Sequence, residues 1–208
     1  MTNETEGFDF LILGGGSAGY AAARTAHNLG KRVAVVDGAA ELSGLCILRG
    51  CMPSKTLIYS AEVLHLAQQG DVFGFKGGNP VADMQAMQQR KREVIREFSE
   101  YRKEQLEDGR FSLFTDYGHF RDLNSVELSD GKILRAEKIL ISTGGSGGHV
   151  IPAITMYDHL KSYYDISISS DMRGLKYLDN ESYNIFLVDT PKLNKLILLP
   201  ISILKIFF

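Results

Sequence analysis

Two cysteines are the most reactive side chains in the sequence. Cys46 and Cys51 are the only cysteines, and they lie five positions apart in the segment 43–55, which reads SGLCILRGCMPSK. The nearest histidine, His65, is far along the chain, so the two thiols cannot complete a zinc site and no metal is expected. The residue types leave two alternatives open, a redox-active dithiol or two small core residues.

A proline near the second cysteine indicates where the next helix begins. Pro53 suits the first turn of a helix that runs to about Ala67. Cys51 is then expected near the helix N-terminus, where the helix dipole lowers the pKa of a thiol. Because the thiolate is the reactive form, this position favours redox chemistry at Cys51.

A glycine-rich loop near the N-terminus matches the pattern G-x-G-x-x-G. The residues of this loop that are candidates for binding a cofactor are Gly14, Gly16, Ser17, Ala18 and Gly19. Gly14 permits a tight turn, Gly16 lets the backbone approach a pyrophosphate, and Gly19 lets helix and strand pack closely. Phosphates bind at the helix N-terminus that follows such a loop. The pattern predicts a nucleotide site, with a purely structural glycine turn as the alternative, and it does not separate FAD from NAD.

An acidic residue completes the predicted nucleotide site. Asp37 lies 23 positions after Gly14, at the end of the second predicted strand. At this place a carboxylate can accept hydrogen bonds from the ribose hydroxyls of an adenosine. No arginine directly follows Asp37, so a 2′-phosphate has no evident partner there.

The elements around the glycine loop form a predicted β-α-β unit. Residues 8–13 are an apolar strand, residues 18–29 an alanine-rich helix ended by Gly30, and residues 31–37 a second apolar strand. A short first turn between strand and helix is typical of a parallel sheet.

The middle of the chain predicts a long helix and then a small antiparallel meander. Residues 81–106 carry apolar side chains at helical spacing among many charges. From 110 to 135 the pattern is strand-like, with Asp130 and Gly131 as a hairpin turn. Residues 138–142 predict a strand that returns to the parallel sheet. The expected fold is therefore α/β, a parallel sheet with an inserted antiparallel β-meander.

Composition narrows the classes of function. The chain has 208 residues, 44% of them hydrophobic, and a net charge of −2, as in soluble globular proteins. No stretch is dense in Lys and Arg, so nucleic acid is not an expected partner. Residues 1–7 are polar and acidic, unlike a secretory signal, and the apolar run at 196–208 is too short to span a bilayer. We expect a cytoplasmic protein that has no membrane partner.

The composition changes abruptly near residue 150. Gly and Ala together number 33 in the first 150 residues and 2 in the last 58, while Arg falls from 10 to 1. We therefore expect a nucleotide-binding domain over 1–150 and an atypical tail over 151–208. Two explanations stay open: a tail that follows a frameshift or a junction, or a Lys- and Ile-rich second region that packs on the first.

The two motifs together resemble a known family. The pattern Cys46-x-x-x-x-Cys51 followed by Met-Pro-Ser-Lys, downstream of a dinucleotide-binding unit, resembles the class I pyridine nucleotide-disulfide oxidoreductases. That family includes dihydrolipoamide dehydrogenase, glutathione reductase and mercuric reductase. The resemblance covers residues 8 to about 145, and it implies a Rossmann-like FAD-binding domain that carries a redox-active disulfide.

The resemblance also implies roles for individual residues. The residues that would bind FAD are Gly14, Gly16, Ser17, Ala18, Gly19, Asp37, Lys55, Thr143 and Gly144. Cys51 would face the flavin, Cys46 would exchange with the substrate, and Lys55 would lie near flavin N5. In such enzymes NAD(P)H reduces the flavin, the flavin reduces the disulfide, and the dithiol reduces a small-molecule or disulfide substrate in cell redox homeostasis.

The sequence also departs from the family pattern. Ser43 stands where the family usually has the first of two glycines, and Leu48 where it usually has Asn. No second G-x-G-x-x-G for the nicotinamide and no interface domain for the family's homodimer is found. We therefore expect a truncated FAD-binding portion that is incomplete for turnover. The alternatives are a non-catalytic FAD- or nucleotide-binding module and a non-functional truncated product.

Overall fold

The computed structural model describes residues 5–76, 78–142, 147–170, 172–178 and 182–187. The chain divides into two compact units, Met1–Ser142 and Thr143–Phe208. The predicted cofactor residues Thr143 and Gly144, and the apolar run at 196–208, lie outside the described residues. None of the described helices is both long and apolar enough to cross a membrane.

The first unit alternates strands and helices. Its elements are β1 (Thr5–Leu13), α1 (Ser17–Asn28), β2 (Val33–Val36), α2 (Leu45–Leu48), α3 (Cys51–Gln68), a short 3₁₀ turn (Gly70–Phe73), α4 (Met84–Glu107), β3 (Ser112–Phe114), β4 (Gly118–Asp122), β5 (Ser125–Leu128) and β6 (Ile133–Ile141). In the second unit, the described elements are α5 (Gly147–Leu160), β7 (Ile168–Ser170), α6 (Met172–Leu175) and β8 (Ile185–Leu187), and β7 pairs in parallel with β8.

A six-stranded sheet of order β3-β2-β1-β6-β5-β4 organises the first unit. Neighbouring strands are parallel from β3 to β6 and antiparallel from β6 to β4. The predicted fold class, a parallel sheet with inserted antiparallel strands, is confirmed. One expectation within it was wrong: Ser112–Phe114 does not belong to the meander but pairs in parallel with β2.

Two of the predicted strands are parts of one strand in the structure. The predicted hairpin arm at 133–134 and the return strand at 138–142 are a single strand, β6. Its first residues pair antiparallel with β5, as Leu134 does with Val126, while its other edge pairs in parallel with β1 along nearly its whole length. A strand has two hydrogen-bonding edges, so both pairings coexist. The turn between β5 and β6 has Gly131 at φ 85°, as the hairpin pattern predicted.

The core lies on both faces of the sheet. Leu11 and Ile12 are adjacent in β1, are both fully buried, and belong to opposite core clusters because side chains alternate along a strand. On the face of Ile12, α1 packs together with Leu106 near the end of α4. Leu106 is the buried residue of α4, so most of this helix's apolar stripe does not lie in the core. The helix begins at 84 rather than at the predicted 81, because Asp83 caps it through Ala86 N–H at 2.9 Å.

Candidate functional site

The glycine loop connects β1 to α1 in a tight turn. Gly14 has φ +100° and its N–H donates to the carbonyl of Val36 at 2.8 Å, so the loop begins bound to the neighbouring strand. At Gly19, a Cβ would collide with the carbonyl oxygen of Gly14. Both positions therefore need glycine for steric reasons, and helix and strand meet as closely as the pattern predicted.

The first turn of α1 has free hydrogen-bonding capacity. Its N-cap, Gly16, has no side chain to cap the helix, and no acidic residue lies in the first turn. The N–H groups at the start of a helix have no partner within the helix, and the dipole favours negative charge there. The N–H groups of Ser17 and Ala18 therefore lie where an anion could bind.

Asp37 connects the end of β2 to the glycine loop. Its Oδ2 accepts from Gly15 N–H at 2.8 Å, and its Oδ1 accepts from Ala39 N–H at 2.9 Å. A carboxylate has about four lone-pair sites, so both oxygens retain capacity for hydroxyl donors. The sequence pattern predicts that Asp37 accepts hydrogen bonds from a ribose, but it does not predict the hydrogen bond from Gly15 of the loop.

A cavity of about 660 Å³ is lined in part by the segment that follows Asp37 in the chain. It lies between the loop that follows β2, from Ala39 onward, and one side of α4, with Thr115 after β3 also in its lining. Ligands in open α/β sheets bind outside the carboxyl ends of the strands, and the cavity lies at the carboxyl ends of β2 and β3. The lining contains three basic and three acidic side chains, Arg92, Arg96, Lys103, Glu41, Glu100 and Glu107, so its charges are balanced.

The two cysteines lie at the junction of two helices. Cys46 is in α2 and half-buried, whereas Cys51 is the first residue of α3 and exposed, and both are free thiols. The predicted helix start at the second cysteine is confirmed. Within the described residues, no group of three His, Cys, Asp or Glu side chains is arranged to hold a metal ion.

The environment of Cys46 favours its protonated form. Burial, and after it the hydrogen bond with Cys51 and the charge of Cys51, raise the pKa of the Cys46 thiol. A backbone hydrogen bond from Cys51 and the charge of Lys55 act in the opposite direction. The structure therefore brings Cys46, Cys51 and Lys55 together in one electrostatic environment.

The thiol-bearing segment rests on the glycine loop. Gly44, the N-cap of α2, has φ +81°, and a Cβ built on it would lie 2.6 Å from the Cα of Gly16. Any side chain at position 44 would push the two segments apart. The contact brings the glycine loop and the thiol-bearing segment together, as the resemblance to the family implied.

Ser43 has a strained backbone conformation, and its side chain is hydrogen-bonded to Ser99. It is a non-glycine residue at φ +116° and is fully buried. Its Oγ donates to the carbonyl of Ser99 at 2.9 Å and lies 3.1 Å from the Ser99 Oγ. The sequence singled out Ser43 as a departure from the family pattern, but nothing local pointed to Ser99 as its partner.

Three arginines surround the ring of Tyr20, and no sequence motif predicted this cluster. The guanidinium of Arg102 lies 4.1 Å from the ring centroid of Tyr20, and those of Arg24 and Arg110 lie 5.9 Å from it. Burial lowers the pKa of Arg102. Its Nε and Nη1 are buried with no hydrogen-bond partner in the described part of the chain. Tyr20 directly follows Gly19, so this cluster fastens α4 to the start of α1.

Comparison with known proteins identifies the family. Residues 8–183 match the family described as pyridine nucleotide-disulphide oxidoreductase, and the chain belongs to that family. The resemblance stated from the motifs is confirmed, and members of the family are oxidoreductases that bind FAD.

Individual relatives share only part of their length with this chain. The dihydrolipoyl dehydrogenase of Bacillus subtilis (strain 168) is 35% identical over 149 residues, which are 66% of this chain and 31% of that protein. The HOCl-induced flavoprotein disulfide reductase RclA from Escherichia coli, solved as a Cu(II) complex, has a TM-score of 0.52 and 29% identity over 68% of this chain and 29% of its own. The chain thus spans about a third of the length of these relatives.

A relative of another class also matches. The UDP-N-acetylglucosamine--N-acetylmuramyl-(pentapeptide) pyrophosphoryl-undecaprenol N-acetylglucosamine transferase of Pelagibacter ubique (strain HTCC1062) is 45% identical over 73 residues. The match covers 35% of this chain and 20% of the transferase.

Gly19→Ala tests the packing of the glycine loop. The new Cβ would meet the backbone of Gly14, which cannot yield as a side chain can, so we expect a loss of about 1–3 kcal/mol in the free energy of unfolding. Gly7→Ala is the control: nothing lies within 4 Å of its Cβ, and the change should stay within about 0.5 kcal/mol. Urea unfolding followed by circular dichroism measures both, and equal midpoints would contradict the packing.

The pH dependence of alkylation tests the environment of Cys46. Because its pKa is raised, Cys46 is mostly protonated at neutral pH, and its rate with iodoacetamide should climb only as the pH passes the ordinary range of a thiol. Cys51→Ala removes a hydrogen bond and a charge that raise this pKa while burial remains, so the profile of Cys46 should move to lower pH. Peptide mass spectrometry follows Cys46 separately, and an unmoved profile would mean that Cys51 does not influence it.

Proposed function

We propose that this chain is the FAD- and dithiol-bearing part of a flavoprotein disulfide oxidoreductase. The observation that carries the proposal is the contact between Gly16 and Gly44, which places the Cys46–Cys51 segment against the glycine loop. A redox-active disulfide has to lie beside its cofactor, and two unrelated core cysteines would have no reason to be held there.

The residues around the loop fit a dinucleotide. Gly14, Gly16 and Gly19 keep side chains away from the path of a pyrophosphate, and the N–H groups of Ser17 and Ala18 would bind it at the uncapped start of α1. Asp37 would accept from the ribose, and Lys55, Thr143 and Gly144 would complete the set of contacts. When bound, FAD supplies electron transfer between a nicotinamide nucleotide and a disulfide.

The two cysteines would cycle between dithiol and disulfide. Forming the S–S bond between Cys46 and Cys51 releases two electrons and two protons, and cleaving it takes up the same number. We assign Cys51 to the flavin side, as the resemblance to the family implies, and it is the exposed first residue of α3. Cys46 is assigned to exchange with the substrate, and Lys55 supports the thiolate of Cys46 by its positive charge.

The substrate class follows from the same chemistry. A dithiol exchanges with small-molecule or protein disulfides and binds soft metal ions, and relatives include dihydrolipoyl dehydrogenases and mercuric reductases. Reduction by NAD(P)H, homodimer formation and a cytoplasmic location are proposed for a longer protein that contains this segment, since the match covers only 31% of the Bacillus subtilis relative.

The visible absorbance of the full chain with FAD tests this function. After unbound FAD is removed, we expect retained flavin absorbance and, on anaerobic reduction with dithiothreitol, a long-wavelength band from the Cys51 thiolate beside the flavin. Cys46→Ser should show that band without reductant, and Cys51→Ser should show none.

Each contrary result has its own meaning. A colourless chain would contradict cofactor binding and favour a truncated product without function. Retained flavin with identical spectra for the two serine variants would refute the assigned roles of the thiols and favour a non-catalytic flavin-binding module.

We propose as a second candidate that the second unit originates from a transferase. The composition changes near residue 150, the compact units separate between Ser142 and Thr143, and the transferase match of 73 residues is about as long as the second unit. The oxidoreductase family match reaches residue 183, into the same unit, so the two origins have to be separated by experiment.

Sequencing single molecules of genomic DNA across codons 130–170 separates these origins. If the chain is joined at a junction, the reads should part near codon 143, some continuing as oxidoreductase and others entering from a transferase gene. Every read carrying both parts in one uninterrupted frame would contradict the junction and favour a native second region.

A further inference from the structure

A strained backbone position lies two residues before α2, the helix that contains Cys46. Among the described residues, Ser43 is the non-glycine residue with positive φ, at +116°, and its side chain is fully buried. A residue with a Cβ enters this conformation only when surrounding contacts hold it there, and such positions concentrate at functional sites.

The contacts that hold Ser43 come from a distant helix. Its hydroxyl donates to the carbonyl of Ser99 at 2.9 Å and is within 3.1 Å of the Ser99 hydroxyl, and 56 positions separate the two residues in the chain. Ser99 lies in the middle of α4. The pair therefore fastens the loop before α2 to the longest helix of the first unit.

The position of Ser43 determines the position of Cys46. The carbonyl of Gly44 accepts from the N–H groups of Ile47 and Leu48, both at 3.2 Å, so the single turn of α2 that contains Cys46 is built on Gly44. Gly44 in turn lies against Gly16. A movement at Ser43 would shift α2 away from both the glycine loop and Cys51.

We propose that Ser43 and Ser99 are positioning residues that hold Cys46 against Cys51 beside the glycine loop. The inference rests on the proposed function in taking the two thiols as the redox pair. It adds that the serine at position 43, where the family pattern has glycine, is compensated by Ser99 and sets the reactivity of the exchanging thiol.

The test compares thiol reactivity with stability in four single variants and one double variant of the full chain. Ser43→Ala removes both hydrogen bonds and keeps the strained backbone, whereas Ser43→Gly removes them and relieves the strain. Ser99→Ala removes only the hydroxyl contact, because the Ser99 carbonyl remains. Ser60→Ala is the control, since its hydroxyl bonds only to Thr56 O within its own helix. Alkylation rates of each reduced cysteine are measured by peptide mass spectrometry, and stability by urea unfolding.

The expected result separates positioning from a structural role. In both Ser43 variants Cys46 should alkylate faster, by up to about tenfold for each pKa unit that its thiol loses on exposure. Stability should fall in Ser43→Ala and be largely retained in Ser43→Gly. Ser99→Ala should have a smaller effect, and the double variant Ser43→Ala/Ser99→Ala should react no faster than Ser43→Ala, since the two residues act through one contact.

Two outcomes would overturn the inference. The first is an alkylation rate of Cys46 in Ser43→Gly that equals the rate in Ser60→Ala. The second is a set of Cys46 alkylation rates that rise, from variant to variant, only in proportion to the loss of free energy of unfolding. Alkylation does not require FAD, so this result is independent of the cofactor test. A chain that fails to bind FAD but shows the Cys46 shift would refute the proposed function and leave the positioning role of Ser43 and Ser99 intact. The reverse pattern would refute that positioning role alone.

Discussion

The backbone contact between Gly16 and Gly44 is the constraint on which the rest of the site depends. A Cβ at position 44 would lie only 2.6 Å from the Cα of Gly16, so the two segments can meet only because position 44 lacks a side chain. This contact unites a loop suited to phosphates with a pair of thiols, and neither motif alone defines a redox site. Each neighbouring interaction keeps one of the two segments in place.

The parallel sheet fixes the position of the glycine loop, which contains Gly16. Gly14 is bound to Val36 of the adjacent strand, and Asp37 at the end of that strand is bound to Gly15, so the loop is attached to β2 at two points. The strands β1 and β2 are buried on both faces, which makes their carboxyl ends a rigid platform. A loop on such a platform keeps its N–H groups oriented without a ligand, which lowers the cost of binding one.

Helix α4 contacts the segment that precedes Cys46, on the other side of the Gly16–Gly44 contact. Ser99 and Arg102 lie three residues apart and therefore on one face of this helix. Ser99 fastens the strained Ser43, and Arg102 stacks on Tyr20 at the start of α1. The π face of Tyr20 offsets part of the cost of burying the Arg102 guanidinium, whose Nε and Nη1 have no hydrogen-bond partner among the described residues. The chemistry at Cys46 thus depends on a helix that carries no motif of its own.

The sequence by itself determined what depends on neighbours along the chain: the β-α-β unit, the helix start at Cys51, the turn at Gly131 and the glycines of the loop. Only the tertiary structure decided that β6 serves two partners, that β3 joins the parallel sheet, and that Ser43 binds Ser99. The physical reason is distance along the chain. Turn and helix signals are encoded within a few residues, whereas the bond between Ser43 and Ser99 joins residues 56 positions apart, and neither residue carries a local sign of it.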